Sequence, residues 1–237
     1  MNFLKKIVIK LRLKKYVYPV YHYLVVLPKL KKRTHDFRRS NKELLFLIDS
    51  VLTCNGYVYW LNFGTLLGAY RDHDFISYDN DLDIGMWYEK DYYKIINLFE
   101  KNGIKLVQLV NFSDPNCCEP RFVYKGVYVD INFYIHEDGN IVTYDYNFIK
   151  GITYNVQSGK TEFPVLVEKV INPYFAIGKI KFLNFDFPVP VDTCEYLKAN
   201  YGESFMTPIV NFDYHDYATN IKCFDLKEKQ AVLKFFP

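Results

Sequence analysis

The sequence has few cysteines, and none of them has the spacing of a metal-binding or redox motif. The five are Cys54, Cys117, Cys118, Cys194 and Cys223. They form neither a Cys-x-x-Cys pair nor a Cys/His cluster with zinc spacing, which argues against a structural zinc site. Because an odd number of cysteines in a chain of 237 residues gives no disulfide framework, we expect reduced thiols and a cytoplasmic location.

The sequence also lacks a hydrophobic run long enough to cross a membrane. An apolar, aromatic-rich stretch at residues 16–27 contains Pro19 and His22 and is shorter than the roughly 20 apolar residues of a spanning helix. No small-residue cleavage site follows it, so we do not expect a secretory signal. Repeats and low-complexity linkers are absent too. The organisation we predict is an arm, residues 1–35, followed by one folded domain, residues 36–237.

Charge is divided unequally along the chain. Residues 1–42 hold thirteen Lys or Arg and one acid, Asp36, whereas the other 195 residues carry a net charge of −9. Basic clusters beside aromatic and aliphatic residues suit the headgroup region of an anionic membrane, so peripheral binding to the inner face of the membrane is one interpretation. A solvated basic arm that packs on the acidic body is another. No recognised nucleic-acid motif accompanies the charge, so nucleic acid is not an expected partner.

Hydrophobic periodicity predicts helices interspersed with strands. Helices are predicted over residues 36–55, 65–70, 89–101 and 191–200. Strands are predicted over residues 57–61, 82–87, 104–110, 121–124 and 127–135. The turn residues at 137–140 predict a hairpin, and the chain from there to about Pro190 has the pattern of strand and loop. The fold class we predict is α/β or α+β, with a small mixed sheet flanked by helices.

The most informative segment joins a Gly-Thr turn, Gly64-Thr65, to three aspartates, Asp79, Asp81 and Asp83. Alternate side chains of an extended strand share a face, so the three carboxylates can lie together. They repel one another unless a cation neutralises them, and oxygen ligands favour Mg²⁺ or Mn²⁺. The turn offers backbone N–H groups, a hydroxyl and a helix N-terminus to a phosphate. The segment therefore predicts a metal–phosphate site.

Asp130 is the further carboxylate that this prediction uses. It lies in a strand whose residues 127, 129, 131 and 133 are apolar, so it shares the other face with Tyr128 and Asn132. There it can bind the metal or accept the proton of an acceptor hydroxyl. Two simpler interpretations stay open: residues 79–81 form a loop with Asx turns, or Asp130 lies exposed on an edge strand.

These motifs resemble the signature of the LicD family. The similar blocks are Gly64-Thr65-Leu66-Leu67-Gly68-Ala69-x-Arg71, Phe75-Ile76, Asp79-x-Asp81-x-Asp83-Ile84-Gly85-Met86, Arg121-Phe122, Tyr128-Val129-Asp130-Ile131, and the later Pro190, Tyr196-Leu197, Tyr201-Gly202 and Pro208. They occur in the family's order over about residues 40–210, and the basic arm lies outside them. The family often has Pro-Trp where this chain has Ser77-Tyr78, and Asp where it has Asn80.

The resemblance implies a nucleotidyltransferase fold of the polymerase-beta type. It also implies transfer of a phospho-alcohol group, such as phosphocholine, from a CDP-activated alcohol to a hydroxyl of a glycan or lipid-linked glycan of a capsule, teichoic acid or lipopolysaccharide. The catalytic residues that it implies, also ligands of Mg²⁺ (or Mn²⁺), are Asp81, Asp83 and Asp130, with Asp130 a ligand or a base. The substrate-binding residues that we predict are Gly64, Thr65, Arg71 and Arg121.

Other functions fit parts of the same pattern. A glycosyltransferase could use Asp-x-Asp to bind the metal of a nucleotide sugar, although a longer nucleotide-binding segment usually precedes that motif. Transfer of a nucleoside monophosphate to a protein or small molecule is a second possibility. A membrane-docked accessory protein without catalysis is a third, but a binding module has no need of three repelling carboxylates.

Overall fold

The computed structural model describes residues 22–113, 116–152, 154, 161–209, 212–225 and 227–236. Most of the predicted basic arm, residues 1–21, lies outside the described residues, so its binding to a membrane stays a prediction. In the described ranges no helix combines the length and the apolar character that crossing a membrane requires. Strands outnumber helices there, and the mixed α and β class that the periodicity predicts is confirmed.

Four α-helices lie in the described residues. They are α1 (Leu27–Cys54), α2 (Phe63–Leu67), α3 (Tyr93–Lys101) and α4 (Thr193–Tyr201). One π-helical turn, His22–Val26, precedes α1, and another, Gly68–Asp72, continues α2. A 3₁₀ turn covers Tyr214–Asp216.

Eleven strands lie in the same ranges. They are β1 (Tyr59–Leu61), β2 (Asp81–Trp87), β3 (Lys105–Ser113), β4 (Asn116–Tyr124), β5 (Val127–Glu137), β6 (Asn140–Asn147), β7 (Glu162–Pro173), β8 (Ile177–Phe182), β9 (Phe185–Pro190), β10 (Ile221–Phe224) and β11 (Ala231–Phe235). The β5–β6 connection at Asp138-Gly139 is the predicted hairpin.

Helix α1 begins nine residues before the predicted start at residue 36. Its first turn contains Pro28, where the missing N–H removes no helical hydrogen bond. The helix is therefore continuous across the boundary that we predicted between arm and domain. It ends at Cys54, as the Asn55-Gly56 signal predicts. Its buried residues recur at helical spacing and include Phe37, Leu44, Ile48 and Leu52.

Nine of the described strands form one sheet, which is larger than the small sheet that we predicted. Strand β2 pairs with β1 antiparallel and with β5 parallel. From β5 the sheet runs through β4, β3, β11, β7 and β6, and β6 pairs with β5 again. These six antiparallel strands therefore close into a ring. Strand β10 pairs with β7, and β8 and β9 form a separate hairpin.

Two buried clusters stabilise this arrangement. The larger cluster packs α1, α3 and α4 against β1, β2 and β5, and it contains the largest fully buried side chain, Trp60. The smaller cluster joins strands of the ring and contains Phe112, Tyr144 and Leu233. Strand β5 contributes to the larger cluster and also closes the ring, so its backbone is hydrogen-bonded to neighbouring strands on both edges.

Candidate active site

The parallel pairing of β2 and β5 brings the predicted acidic residues together. Asp83 lies opposite Asp130 in the register, and Asp81 lies opposite Tyr128. Leu82 and Ile84, which alternate with the aspartates, are fully buried. Asp81 and Asp83 therefore share a face of β2, as the alternation predicts, whereas Asp79 lies before the strand begins. Asp130 is only 7% exposed because β5 has neighbours on both edges, so the alternative of an exposed edge strand is wrong.

Arg121 binds two of these carboxylates. Strand β4 places it opposite Asp130, whose Oδ1 accepts from Nε at 2.6 Å and whose Oδ2 accepts from Nη2 at 2.5 Å. The same Nη2 lies 3.2 Å from Asp81 Oδ2. Burial raises the pKa of Asp130, while Arg121 lowers it, and the net direction is upward. Arg121 is thus a charge partner of the acidic residues, and its contact with a substrate stays a prediction.

The Gly-Thr turn positions Asp83. The Gly64 N–H donates to Asp83 Oδ2 at 3.0 Å, and the Asp83 N–H donates to Thr65 Oγ1 at 2.8 Å. A Cβ on Gly64 would lie 3.0 Å from Asp79 Oδ2 and 3.1 Å from Asp83 Oδ2, so a larger residue would push both carboxylates away by a few tenths of an ångström. Thr65 is buried. The predicted phosphate contacts of Gly64 and Thr65 are not tested by these hydrogen bonds.

The carboxylates perturb one another strongly. Burial, followed by the charges of Asp81, Asp130 and Asp79, raises the pKa of Asp83 well above its ordinary value. Burial and the charge of Asp81 raise the pKa of Asp79 to about 7. Crowded oxygen donors of this kind fit a hard divalent cation, which would relieve their repulsion.

These carboxylates are nevertheless not arranged as a complete set of metal ligands. In the described part of the chain, no three Asp, Glu, His or Cys side chains are spaced to hold a metal together. Arg121 bridges Asp81 and Asp130. A cation bound by Asp81, Asp83 and Asp130 would therefore compete with Arg121 for both oxygens of Asp130 and for Asp81 Oδ2.

A cavity of about 830 Å³ opens beside this cluster. Gly64, Asp79, Asp83 and Arg71 line one part of it. Its aromatic lining residues are Phe63, Tyr78, Tyr201, Phe205, Phe212 and Tyr214. The volume of this cavity is within the usual range of small-molecule sites, and its lining places charged groups beside aromatic surfaces.

Arg71 lies at the cavity but is already paired. Its side chain is 7% exposed, and its Nε and Nη2 donate to Asp72 at 2.8 and 2.9 Å. Its Nη1 donates to the Phe205 carbonyl at 3.3 Å. These bonds tie the turn after α2 to the segment that follows α4. The predicted contact of Arg71 with a phosphate stays a prediction.

The sequence pattern missed a buried polar network behind the Gly-Thr turn. Asn62 Nδ2 donates to Asn132 Oδ1 at 2.9 Å, and Asn62 Oδ1 accepts from Tyr134 and Tyr196 at 3.0 and 2.5 Å. All four residues are buried. The network fixes the turn between β1 and α2 to β5 and α4. Asn132 was visible as a polar residue on the face of Asp130, but its hydrogen-bond partner, Asn62, lies 70 residues away in sequence.

Asp145 is a cavity residue that the pattern analysis also missed. It lies on β6 and lines the cavity, and burial raises its pKa to about 6, with Glu168 adding to the effect. The alternation of Val142, Thr143 and Tyr144 before it has strand character, which is the signal that could have placed it. A third strand therefore brings an acid to this end of the sheet.

Glu168 fixes the segment that forms one wall of the cavity. It lies on β7 and is only 2% exposed. Its carboxylate accepts from Tyr214 Oη at 2.8 Å and is 2.7 Å from His215 Nε2, and it also binds Asn147 Nδ2. Burial lowers the pKa of His215, but Glu168 and Asp213 raise it more. Because Tyr214 lines the cavity, Glu168 acts as a positioning residue for that wall.

Replacing Glu168 with alanine is expected to destabilise the protein by about 2–3 kcal/mol, because Tyr214 and Asn147 lose their buried acceptor. For a chain of this size the Tm should fall by roughly 5–10 °C. Glu162→Ala is the matched control, since Glu162 begins the same strand, is 57% exposed and pairs with Lys234 at 3.3 Å. Its loss should cost less than about 1 kcal/mol. Equal shifts for the two variants would contradict the positioning role.

Comparisons of the sequence with known proteins identify the family of the chain independently of this geometry. The chain matches the family model described as LicD/FKTN/FKRP, nucleotidyltransferase domain, over residues 56–192. That range contains every site residue predicted from the sequence, and it leaves out all of α1.

Three curated proteins illustrate the similarity. Human "Ribitol-5-phosphate transferase FKTN" is 28% identical over 187 residues, which cover 78% of this chain and 37% of the human protein. The protein of the same name from Macaca fascicularis is 30% identical over the same length and coverage. "Uncharacterized protein RP689" of Rickettsia prowazekii (strain Madrid E) is 28% identical over 145 residues, 52% of this chain and 54% of that protein. The matched region thus spans little more than a third of the two primate proteins. Because the family model matches more than half of the chain, the protein belongs to the LicD/FKTN/FKRP family.

Proposed function

We propose that the protein transfers a phospho-alcohol group from a CDP-activated alcohol to a hydroxyl of a cell-surface glycan and releases CMP. The observation that carries the proposal is the placement of Asp83 beside Asp130 at a cavity with aromatic walls. Membership of the family supports it, as does the name of the human relative, ribitol-5-phosphate transferase. Phosphocholine and ribitol phosphate both belong to the class of groups that we propose.

The acidic strands form the catalytic centre in this proposal. Asp81, Asp83 and Asp130 would hold Mg²⁺ (or Mn²⁺), and the ion would neutralise charge on the donor phosphates and on the leaving CMP. Beside a bound cation the carboxylate of Asp130 would have a low pKa and make a weak general base. We therefore assign Asp130 to metal binding before proton transfer. Strands β1, β2 and β5 with α2 would correspond to the nucleotidyltransferase core.

The cavity would hold the donor. Its volume of about 830 Å³ suits a nucleotide-sized molecule, and aromatic side chains such as Tyr201 and Phe212 offer faces on which a base can stack. Gly64 and Arg71 line the same cavity near Asp83, where the donor phosphates would lie. Transfer of the phosphoryl group then depends on positioning and charge neutralisation.

Helix α1 would bring the protein to its acceptor at an anionic membrane surface. Tyr23 and Leu24 are 71% and 64% exposed near its start, and Leu30 is 43% exposed. In the sequence, Lys29 and Lys31 flank Leu30, and Lys32 follows them. Basic residues near an anionic surface contribute about 1 kcal/mol each. A lipid-linked glycan is an acceptor that such a location would supply.

The proposal is tested by the thermal stability of the protein with Mg²⁺ and each of CDP, UDP, GDP and ADP. We expect a CDP-selective rise that requires the metal, worth about 2.7 kcal/mol at a hundredfold excess over the dissociation constant. Asp81→Ala and Asp83→Ala should abolish it. A rise with UDP or GDP alone would favour a glycosyltransferase, and no rise with any nucleotide would favour a non-catalytic accessory protein.

A further inference from the structure

We propose that Arg33 binds an anionic group of the acceptor, a phosphate or a carboxylate, beside Asp81. The inference rests on the proposed function and adds to it a binding residue from helix α1. Arg33 lies outside the range matched by the family model, residues 56–192, and outside the resemblance found in the sequence.

Helix α1 delivers Arg33 from its packed face. Phe37, Ser40, Asn41 and Leu44 are the buried residues of this part of the helix. Arg33 is four residues before Phe37, so it lies on the same face one turn earlier. The helix is anchored by these residues against β2 and β5. The packed face of α1 therefore holds Arg33 beside the acidic strands β2 and β5.

The guanidinium of Arg33 is oriented but not saturated. Its Cζ lies 4.7 Å from the centre of the Tyr128 ring, within the range of a cation–π contact. Its Nη2 is 4.0 Å from Asp81 Oδ2, longer than a hydrogen bond. Its Nε is buried and has no hydrogen-bond partner among the described residues. An oriented guanidinium with unused donors is suited to receive a phosphate or carboxylate.

Neutralising the charge of Asp81 does not explain why Arg33 lies beside it. Arg121 already donates to Asp81 Oδ2 at 3.2 Å and binds Asp130 with two hydrogen bonds. Arg33 contacts the same Oδ2 atom at the greater distance. The closer arginine thus carries the pairing with Asp81, and Arg33, whose side chain is 35% exposed, forms no hydrogen bond with it.

The position of Arg33 assigns it to the acceptor. Gly64, Asp79 and Asp83 line the cavity proposed for the donor, whereas Asp81, Tyr128 and Arg33 lie outside that lining. In an in-line displacement the attacking oxygen and the leaving group lie on opposite sides of the phosphorus. With the donor in the cavity, the acceptor hydroxyl approaches from the side of Asp81. Lys29, one turn before Arg33 and exposed, extends the positive charge on that side.

The test is calorimetric titration of the chain, with Mg²⁺ and CMP present, with glucose 6-phosphate, glucuronate and glucose. We expect at least one anionic sugar to bind and neutral glucose to bind at least about tenfold more weakly. The two anionic probes distinguish phosphate from carboxylate. Arg33→Ala should weaken the anionic sugar at least about tenfold, and Arg33→Lys should restore part of the affinity because it keeps the charge. Arg39→Ala, which removes an exposed arginine of the same helix, should change nothing.

Three outcomes would overturn the inference. The first is that neither anionic sugar binds at concentrations up to about 10 mM, which would mean a very low affinity. The second is that Arg33→Ala binds the anionic sugar as tightly as the wild type does. The third is that Arg33→Ala removes the CDP-dependent thermal shift, which would place Arg33 on the donor side. Failure of the proposed function gives a different result, because the wild-type protein would then show no CDP-dependent shift at all. The Tm of each Arg33 variant without ligand separates these effects from misfolding.

Discussion

Replacing Asp83 with asparagine is expected to lower the rate of CMP release from a CDP-alcohol by about a thousandfold or more, since the change removes an anionic ligand of the proposed Mg²⁺, whose charge would stabilise the transition state. The same change should not destabilise the metal-free protein. Asparagine has nearly the same shape, and its carbonyl oxygen can still accept from the Gly64 N–H, which now donates to Asp83 Oδ2 at 3.0 Å. It also removes one of the charges that crowd Asp79, Asp81 and Asp130.

The sign of this stability effect follows from the pKa of Asp83. Burial and the neighbouring carboxylates raise that pKa in the folded state, so ionisation of Asp83 costs stability as the pH rises above its unfolded pKa. At neutral pH without metal, Asp83→Asn should therefore be at least as stable as the wild type, and a gain of about 1 kcal/mol is typical of such sites.

Chemical denaturation in the presence of a chelator and an assay of CMP release measure the two effects separately. Asp91→Asn is the control, since Asp91 is 68% exposed and pairs with Lys94 on the surface. It should change neither the rate nor the stability appreciably. An Asp83→Asn variant that keeps more than about a tenth of the activity, or that unfolds more easily than the wild type, contradicts the assigned role.

Replacing Gly85 with alanine is expected to destabilise the protein by about 3 kcal/mol or more, because the new methyl group overlaps a buried side chain. A Cβ on Gly85 would lie 2.1 Å from Trp60 Nε1 and 2.3 Å from Trp60 Cε2. Trp60 cannot move away easily. It is fully buried, and its ring packs 5.1 Å from those of Trp87 and Tyr134 and 5.6 Å from that of Phe175.

The Tm of Gly85→Ala should fall by roughly 6–12 °C for a chain of this length. Gly178→Ala is the matched control, since its Cβ would come no closer than 3.1 Å to another residue, and the atom it approaches, Cγ2 of the exposed Val191, has room to shift by a few tenths of an ångström. Trp60→Phe removes part of the overlapping indole, so the double variant Gly85→Ala/Trp60→Phe should be more stable than the sum of the two single changes predicts. Simple additivity would show that the overlap is not the cause.

The local features of the fold could be predicted, whereas its closure could not. The end of α1 and the turn at Asp138-Gly139 depend on short-range signals, and both are where the sequence indicates. The ring of strands depends on pairs such as Phe235 with Gln108 and Leu233 with Phe163. Periodicity describes which face of a strand is apolar, but it does not identify partners that are 70 and 127 residues away, as in these two pairs.

The same division applies to the candidate site. Asp81 and Asp83 share a face because of a period of two within one strand, and this is visible in the sequence. The pairing of Arg121 with Asp130 follows from the register of β4 and β5, and the approach of Arg33 follows from the packing of α1. Neither register nor helix packing is determined by the sequence of one segment. For this reason Arg33 appeared only as one charge of a basic run.

The identity of the donor is the most direct test of the proposed activity. We would incubate the protein with Mg²⁺ and, in separate samples, CDP-choline, CDP-ribitol, CDP-glycerol and UDP-glucose, with a mixture of sugars and sugar phosphates as acceptors, and follow the nucleotides by phosphorus NMR. The account predicts that at least one CDP-alcohol is converted to CMP, that UDP-glucose stays intact, and that Asp83→Asn abolishes the conversion. Release of UDP from UDP-glucose while every CDP-alcohol stays intact would contradict it.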